Sequence, residues 1–292
     1  MHGDIMDSEK DGLLKPPVNA SAVNSSTYHP SVLVVISHYN AWSSDQLIAL
    51  LDQMWSVPAG YPFQARIVVN RAEPHDLALP PRYQSVEVLY RQNVGFNIGA
   101  WEQGWREPPV FDAYLFLQEE CQIVRPGWLR AFVQASKDSR VGLIGESLSG
   151  DHSWEHLAGN TQYAESYRIY REFFEEHRTP MGRDAAHLQS VVLFARRELL
   201  ERIDGFPIGH DKVHAMASEI AISKRVIARG CQIRQVGWRP FEYVLHPQWQ
   251  SLRDESAAIR WHFAKLYRRA LNPRVRFRLG RVAQSLGIRG PG

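Results

Sequence analysis

The chain has 292 residues, 44% of them apolar and 22% charged, with a formal net charge of +3. That is long enough to bury a full core as one large α/β domain or two small ones, and the composition is ordinary for a globular protein. No run of about 18 apolar residues excludes a membrane-spanning helix, and the lack of a Gly-x-Ser-x-Gly elbow or a Walker-type loop removes support for a serine hydrolase or an NTPase.

Residues 1–30 are rich in Ser, Asn, Asp and Pro without apolar periodicity. They read as a disordered lead-in, not a secretory signal. Ser31 to Ser37 is then a β-branched run with no alternation, the pattern of a strand buried on both faces. Ser44 or Asp45 is placed to cap a helix reaching about Trp55, with Leu47, Leu50, Leu51 and Met54 at helical spacing. Strands follow at Ala65–Asn70 and Ser85–Tyr90, and a glycine-bearing turn, Asn93 to Gly99, runs into a helix. Tyr114–Leu117 is the fourth strand and ends in Gln118-Glu119-Glu120-Cys121. A helix at Trp128–Ser136 and a strand at Val141–Ile144 come next.

Residues 150–189 are polar and aromatic, with Trp154, Tyr167, Tyr170, Phe173 and Phe174, and read as an inserted loop and helix. Asp151, His152 and His156 fall where such an insertion faces an acceptor, although aromatics there also suit a small core of its own. Ser190–Ala195 returns to strand, Glu198–Ile203 is helical, and Ser218–Ala228 is a helix closed by Gly230. Cys121 and Cys231 stand 110 positions apart and read as free thiols in a reducing cytosol. From Arg253 onward, ten Lys/Arg face two acids, leaving a net −5 on the rest of the chain. This basic, aromatic tail suits an anionic membrane surface or a lipid-linked phosphate, and equally a helix packing its apolar side on the domain. It carries no nucleic-acid recognition motif.

Strands alternating with helices imply a doubly wound, mainly parallel sheet whose ligand sits at the carboxyl ends of the strands. Those ends carry His38, Tyr39, Asn40, Asn70, Asn93, Gly95, Glu119 and Glu120.

Four motifs in order, Val34–Asn40, Gln92–Gly99, Leu115–Cys121 followed by Val124–Leu129, and Leu193–Phe206 with Ser218-Glu219, resemble the family-2-type glycosyltransferases of the GT-A fold. The resemblance spans roughly residues 31–246. It implies a Rossmann-like α/β domain over 31–250, with the lead-in before it and a basic helical tail at 251–292. It implies transfer of a sugar from a nucleoside-diphosphate donor to a hydroxyl of a glycan or lipid-linked acceptor, with inversion, in bacterial-type polysaccharide or glycoconjugate synthesis. The place implied is cytoplasmic, peripheral at the inner face of a membrane, with no nucleic-acid partner.

By the same resemblance His38, Tyr39, Asn40, Asn70, Asn93, Gly95, Asn97 and Glu119 bind the nucleotide sugar, and Glu219 is the base that takes the acceptor's proton. Glu119, Glu120 and His246 are the implied ligands of a divalent Mn²⁺ or Mg²⁺. The family's Asp-x-Asp is here Glu119-Glu120-Cys121, and a thiol is a poor ligand for a hard cation. That departure leaves open a metal-independent or retaining transferase, and a catalytically silent glycan- or nucleotide-binding protein on the same fold. The acids at 119 and 120 also suit plain surface charges at a strand end, and Glu219 a helix-start acid favoured by the dipole.

Overall fold

The computed structural model describes residues 29–149, 153–159 and 164–253. Most of the expected lead-in, the tail from residue 254, and Asp151 and His152 lie outside the described residues.

The chain lays down β1 (Val32–Tyr39), α1 (Asp45–Ser56), β2 (Gln64–Arg71), β3 (Glu87–Gln92), α2 (Phe96–Arg106) and β4 (Ala113–Gln118). A short β5 (Gln122–Ile123), α3 (Trp128–Ala135), β6 (Val141–Gly145) and β7 (Leu148–Ser149) follow. The insertion supplies α4 (Trp154–Gly159), α5 (Ala164–Glu176) and β8 (His187–Leu188). The chain then returns through β9 (Val192–Arg196), α6 (Arg197–Arg202), α7 (Lys212–Ala228), β10 (Gln232–Gln235) and β11 (Val244–Leu245).

Seven strands form one sheet in the order β10-β6-β9-β4-β1-β2-β3. All neighbours are parallel except β9, which runs antiparallel to both β4 and β6. The expected doubly wound, mainly parallel α/β architecture is the one observed. β9 is the exception: α4 and α5 lie between it and β6, but the chain returns through β8, which pairs with β7 just past the end of β6, and so enters β9 from that end. It therefore starts on the side where β1 and β4 end.

Each face of the sheet has its own core, and β1 shows why its apolar run lacks alternation. Val32, Val34 and Ile36 pack with Leu47, Leu50 and Leu51 of α1 and Trp128 and Phe132 of α3. Leu33 and Val35 pack on the opposite face with Ile98 and Trp101 of α2, Leu199 and Leu200 of α6 and Ile222 of α7. A strand clad on both sides has no polar face to offer.

Between the layers lies Arg66, fully buried. Its guanidinium donates to Glu87 (2.7 Å), to the carbonyls of Gly104 and Glu107 (2.6 and 2.7 Å) and to those of Pro108 and Pro109 (3.1 and 3.3 Å). The cation thus caps the carbonyl end of α2, where the helix dipole favours positive charge.

Two expectations are corrected. Helix α7 begins six residues before Ser218, because Asp211 caps it by accepting the His214 N–H at 2.9 Å. Glu219 therefore sits mid-helix, beyond the reach of the N-terminal dipole. The insertion is not sheet-free, since β7 and β8 pair antiparallel. Its aromatics Trp154, Tyr170, Phe173 and Phe174 form a small core shared with Ala217, Ile220 and Ala221 of α7. No helix of the described residues is long and apolar enough to cross a membrane.

The loop after β10 is held by a carboxyl group buried at the end of β6. Glu146 accepts the backbone N–H groups of Glu242 (2.9 Å), Tyr243 (3.1 Å) and Val244 (2.8 Å). Burial outweighs these donors and pushes its pKa up from 4.5 to about 8. The folded state thus holds a proton that the unfolded chain loses near pH 4.5, so this group's contribution is complete below that pH and fades as pH rises to about 8. Thermal melts from pH 4.5 to 8 should show wild-type stability declining across that window and Glu146→Gln flattening the decline. A wild type that gains stability through Glu146 as pH rises contradicts the assignment.

Candidate functional site

The order of strands reverses between β1 and β4, and ligands of doubly wound sheets bind beyond the strand ends at such a point. Register places Ser37 opposite Gln118 and Tyr39 opposite Asn70, so three strands end at one rim. A cleft of about 250 Å³ opens there, lined by Ser37, His38, Tyr39, Trp42, Asn70, Asn93, Phe96, Asn97, Gln118, Glu119 and Glu120.

The cleft's floor is the His38–Glu119 contact. His38 Nδ1 meets one Glu119 oxygen and the Tyr39 N–H donates to the other at 3.1 Å. Both side chains are almost completely buried. Trp101 donates its indole N–H to the Leu117 carbonyl at 3.0 Å, steadying β4 just before this turn.

The wall comes from the turn before α2. Gly95 is left-handed at φ +78°, and a Cβ there would lie 2.4 Å from Ile208 Cγ2. Phe96 is also left-handed, at φ +52°, which is unusual for an aromatic residue and marks local strain beside the cleft. Its carbonyl accepts the Asn70 amide at 3.1 Å, and Asn70 Oδ1 accepts Arg91 at 2.6 Å. Asn93 Oδ1 is buried in this wall with no hydrogen-bond partner.

Of the residues expected to bind a nucleotide sugar, His38, Tyr39, Asn70, Asn93, Asn97 and Glu119 share this cleft, joined by Glu120. Asn40 and Gly95 do not line it. Asn40 is buried and fully engaged, accepting the N–H groups of Ala72 and Glu73 and donating to the carbonyls of Glu73 and His75. It shapes the turn after β2. Gly95 acts through its backbone.

Glu219 and His246 stand one residue away from the lining. Glu219 accepts from Ser190 and faces His187, and the Ser190 carbonyl accepts the side-chain amides of Asn97 (2.7 Å) and Gln118 (2.9 Å). His246 Nε2 lies 3.1 Å from Gln118 Oε1, and its Nδ1 accepts the Gln248 N–H at 3.3 Å. Burial pulls its pKa down to about 4, so the ring is neutral at physiological pH. The expected binding set left out Trp42, Phe96, Gln118, His187 and Ser190, although Phe96 and Gln118 lie inside two of the four motifs; Trp42, His187 and Ser190 carry no motif.

The side chains do not fit a resident Mg²⁺ or Mn²⁺. Both Glu119 oxygens and both His246 nitrogens are engaged. The Cys121 thiol is buried, donates to the Val191 carbonyl at 3.4 Å, and is held protonated by burial. Of the expected ligands only Glu120 has no partner from another residue among the described residues; burial, and secondarily the neighbouring Glu119, raise its pKa. No three His, Cys, Asp or Glu side chains converge among the described residues.

No protein-family model and no curated protein sequence matches the chain. Among solved structures it is similar to the mannosyltransferase PcManGT from Pyrobaculum calidifontis in complex with GDP-Man and Mn²⁺, at 16% identity over 85% of this chain and 67% of that one, with a TM-score of 0.47. It is similar to GalNAc-T7 with UDP, GalNAc and Mn²⁺, at 12% identity over 66% and 41%, TM-score 0.42. It is also similar to CMP:2-keto-3-deoxy-manno-octonic acid synthetase complexed with CTP, at 13% identity over 70% and 88%, TM-score 0.39.

Removing the Glu119 carboxylate leaves His38 and the Tyr39 N–H without their buried acceptor. Glu119→Ala should therefore lose about 3 kcal/mol in chemical denaturation; a loss below about 1 kcal/mol contradicts the structural role. Mn²⁺ alone, without nucleotide, should leave the melting temperature unchanged, and a rise would reveal a cage these side chains do not form.

Proposed function

We propose that this chain is a glycosyltransferase, moving a sugar from a nucleoside-diphosphate donor to a hydroxyl of a glycan or lipid-linked acceptor by direct displacement with inversion. One observation carries the reading. Residues singled out at separate points of the sequence, from His38 to Glu120, ring a single cleft at the switch point of a doubly wound sheet.

The chemistry of the lining supports a nucleoside portion. Trp42 and Phe96 are exposed aromatic surfaces at this cleft, suited to stacking on a base. The unpartnered Asn93 Oδ1 suits a hydroxyl or N–H donor of the ligand; left unpaired, such a group costs about 1–3 kcal/mol. In the displacement the acceptor oxygen bonds the anomeric carbon as the bond to the diphosphate breaks, and the acceptor's proton passes to a carboxylate within hydrogen-bond reach. Glu120 is the cleft carboxylate open to substrate. Ten basic residues from Arg253 onward support an acceptor with a phosphate, or a peripheral place on an anionic membrane.

A second reading, a nucleotide- or glycan-binding protein without turnover, is favoured by the engagement of Glu119 and Glu219 with protein donors. A melting-shift screen against UDP, GDP, dTDP and CMP sugars separates these possibilities. One donor class should raise the melting temperature, by about 2.7 kcal/mol of stabilisation at roughly 100 times its Kd, and Asn93→Ala should shrink the shift. A shift without sugar transfer to any acceptor selects the second reading, and no shift with any of them overturns both.

A further inference from the structure

The Glu219 carboxylate meets three donors. Oε2 accepts the Ser190 N–H at 2.7 Å and the Ser190 hydroxyl at 2.5 Å, and Oε1 faces His187 Nε2 at 2.9 Å. On the other side of the ring, His187 Nδ1 lies 2.7 Å from the Ala185 carbonyl oxygen. A carbonyl only accepts, so Nδ1 carries a proton, and Nε2 against a carboxylate needs one as well. With the Glu219 carboxyl ionised, a neutral ring would set lone pair against lone pair at one of these contacts. The contacts then call for an imidazolium at His187 with Glu219 as its counter-ion.

The surrounding charges agree. Burial opposes the imidazolium, yet the hydrogen bond and charge of Glu219 hold its pKa above the ordinary value. Burial would likewise raise the Glu219 carboxyl, but His187 and the two Ser190 donors bring it below the ordinary range. Lys224 pushes His187 the opposite way but is itself paired with Asp184 at 2.9 Å.

The pair grips Ser190 by its amide and hydroxyl, and Ser190 grips the cleft. Its carbonyl takes Asn97 Nδ2 and Gln118 Nε2, and Gln118 Oε1 in turn takes His246 Nε2. A line of fixed hydrogen bonds thus crosses from α7 beneath the cleft to the segment after β11. It turns the Asn97 amide so that its nitrogen faces Ser190, leaving Oδ1 as the atom to offer a ligand; Asn93, whose Oδ1 is unpartnered, lines the same cleft. Carbonyl oxygens accept hydroxyl or N–H groups and repel phosphate oxygens. A general base needs a lone pair aimed at the hydroxyl it deprotonates, whereas the Glu219 carboxylate already takes three donors from Ser190 and His187 and reaches the cleft lining through Ser190.

We infer that the His187–Glu219 ion pair is a positioning device acting through Ser190, which fixes the amides of Asn97 and Gln118 so that Asn97 Oδ1 receives a hydroxyl or N–H group of a nucleoside, and that Glu219 is not the group that takes the acceptor's proton. The ligand class rests on the proposed transferase reading; the ion pair does not.

Glu219→Gln and Glu219→Ala distinguish the roles. Glutamine keeps the network whole: its oxygen accepts the two Ser190 donors, and its NH₂ donates to Nε2 of a now neutral His187. Glu219→Gln should lower turnover by no more than about fivefold and keep the melting shift given by UDP, GDP, dTDP or CMP, whichever stabilises the wild type. Glu219→Ala should weaken that nucleotide's binding tenfold or more, about 1.4 kcal/mol. A base would instead lose about 10²- to 10⁴-fold in kcat in both variants with nucleotide binding intact, and that outcome overturns the inference. ¹⁵N spectra of the His187 ring decide the pairing without substrate: both nitrogens protonated at pH 7 in the wild type, and Nδ1 alone in Glu219→Gln. A neutral wild-type ring overturns the inference even if Glu219→Ala fails to fold. If no nucleotide binds the wild type, the transferase reading fails while the ring spectra still decide the ion pair.

Discussion

The contact between His38 and Glu119 joins the ends of β1 and β4 at the place where the strand order reverses. A doubly wound sheet necessarily leaves a gap there, because the connections on either side leave in opposite directions. At the gap, polar side chains must satisfy one another, and Glu119 does so by taking both the imidazole and the Tyr39 amide. Everything else at the site is arranged around that fixed floor: the wall before α2 on one side, the start of β9 on the other.

The hydrogen-bond commitments sort residues that look alike. Asn40, Asn70 and Asn93 are all asparagines near strand ends. Asn40 meets four backbone groups and is a turn-builder, Asn70 bridges Arg91 to the Phe96 carbonyl, and only Asn93 has a buried oxygen with nothing to accept. Buried polar atoms are almost always paired in folded proteins, so an orphan in a cleft wall carries more functional meaning than the residue type does. The carboxylates divide in the same way. Glu146 and Glu219 hold backbone segments, Glu119 holds the floor, and Glu120, on the cleft lining, has no partner from another residue among the described residues.

Much of the fold was legible because its central strands are clad on both faces. Val32–Ile36 and Ala113–Leu117 leave no ambiguity of period, and α1 shows its stripe of Leu47, Leu50, Leu51 and Met54. What escaped detection was short, polar or set by tertiary neighbours. β10 is an edge strand whose only apolar residue is Ile233, and β5 and β11 are two residues each. The first turns of α7 were hidden because Ser218 is as good a cap as Asp211 in sequence; only the fold shows its hydroxyl turned to the Pro207 carbonyl. The antiparallel course of β9 depends on the chain's return through β8, which no local pattern records.

The site was legible to the extent that it lies at strand ends, and illegible where it depends on a second layer. His38, Asn93, Asn97 and Glu119 could be found because strand ends in this architecture face ligand. His187 and Ser190 belong to the insertion and its return, and their importance comes from a register of contacts with α7 that brings residues 187, 190 and 219 together. A sequence shows Glu219 as a carboxylate near the end of a motif and so suggests a base. The structure surrounds it with donors, and a carboxylate so surrounded is better at holding a geometry than at receiving a proton. The same environment that keeps it ionised removes the basicity that proton transfer needs.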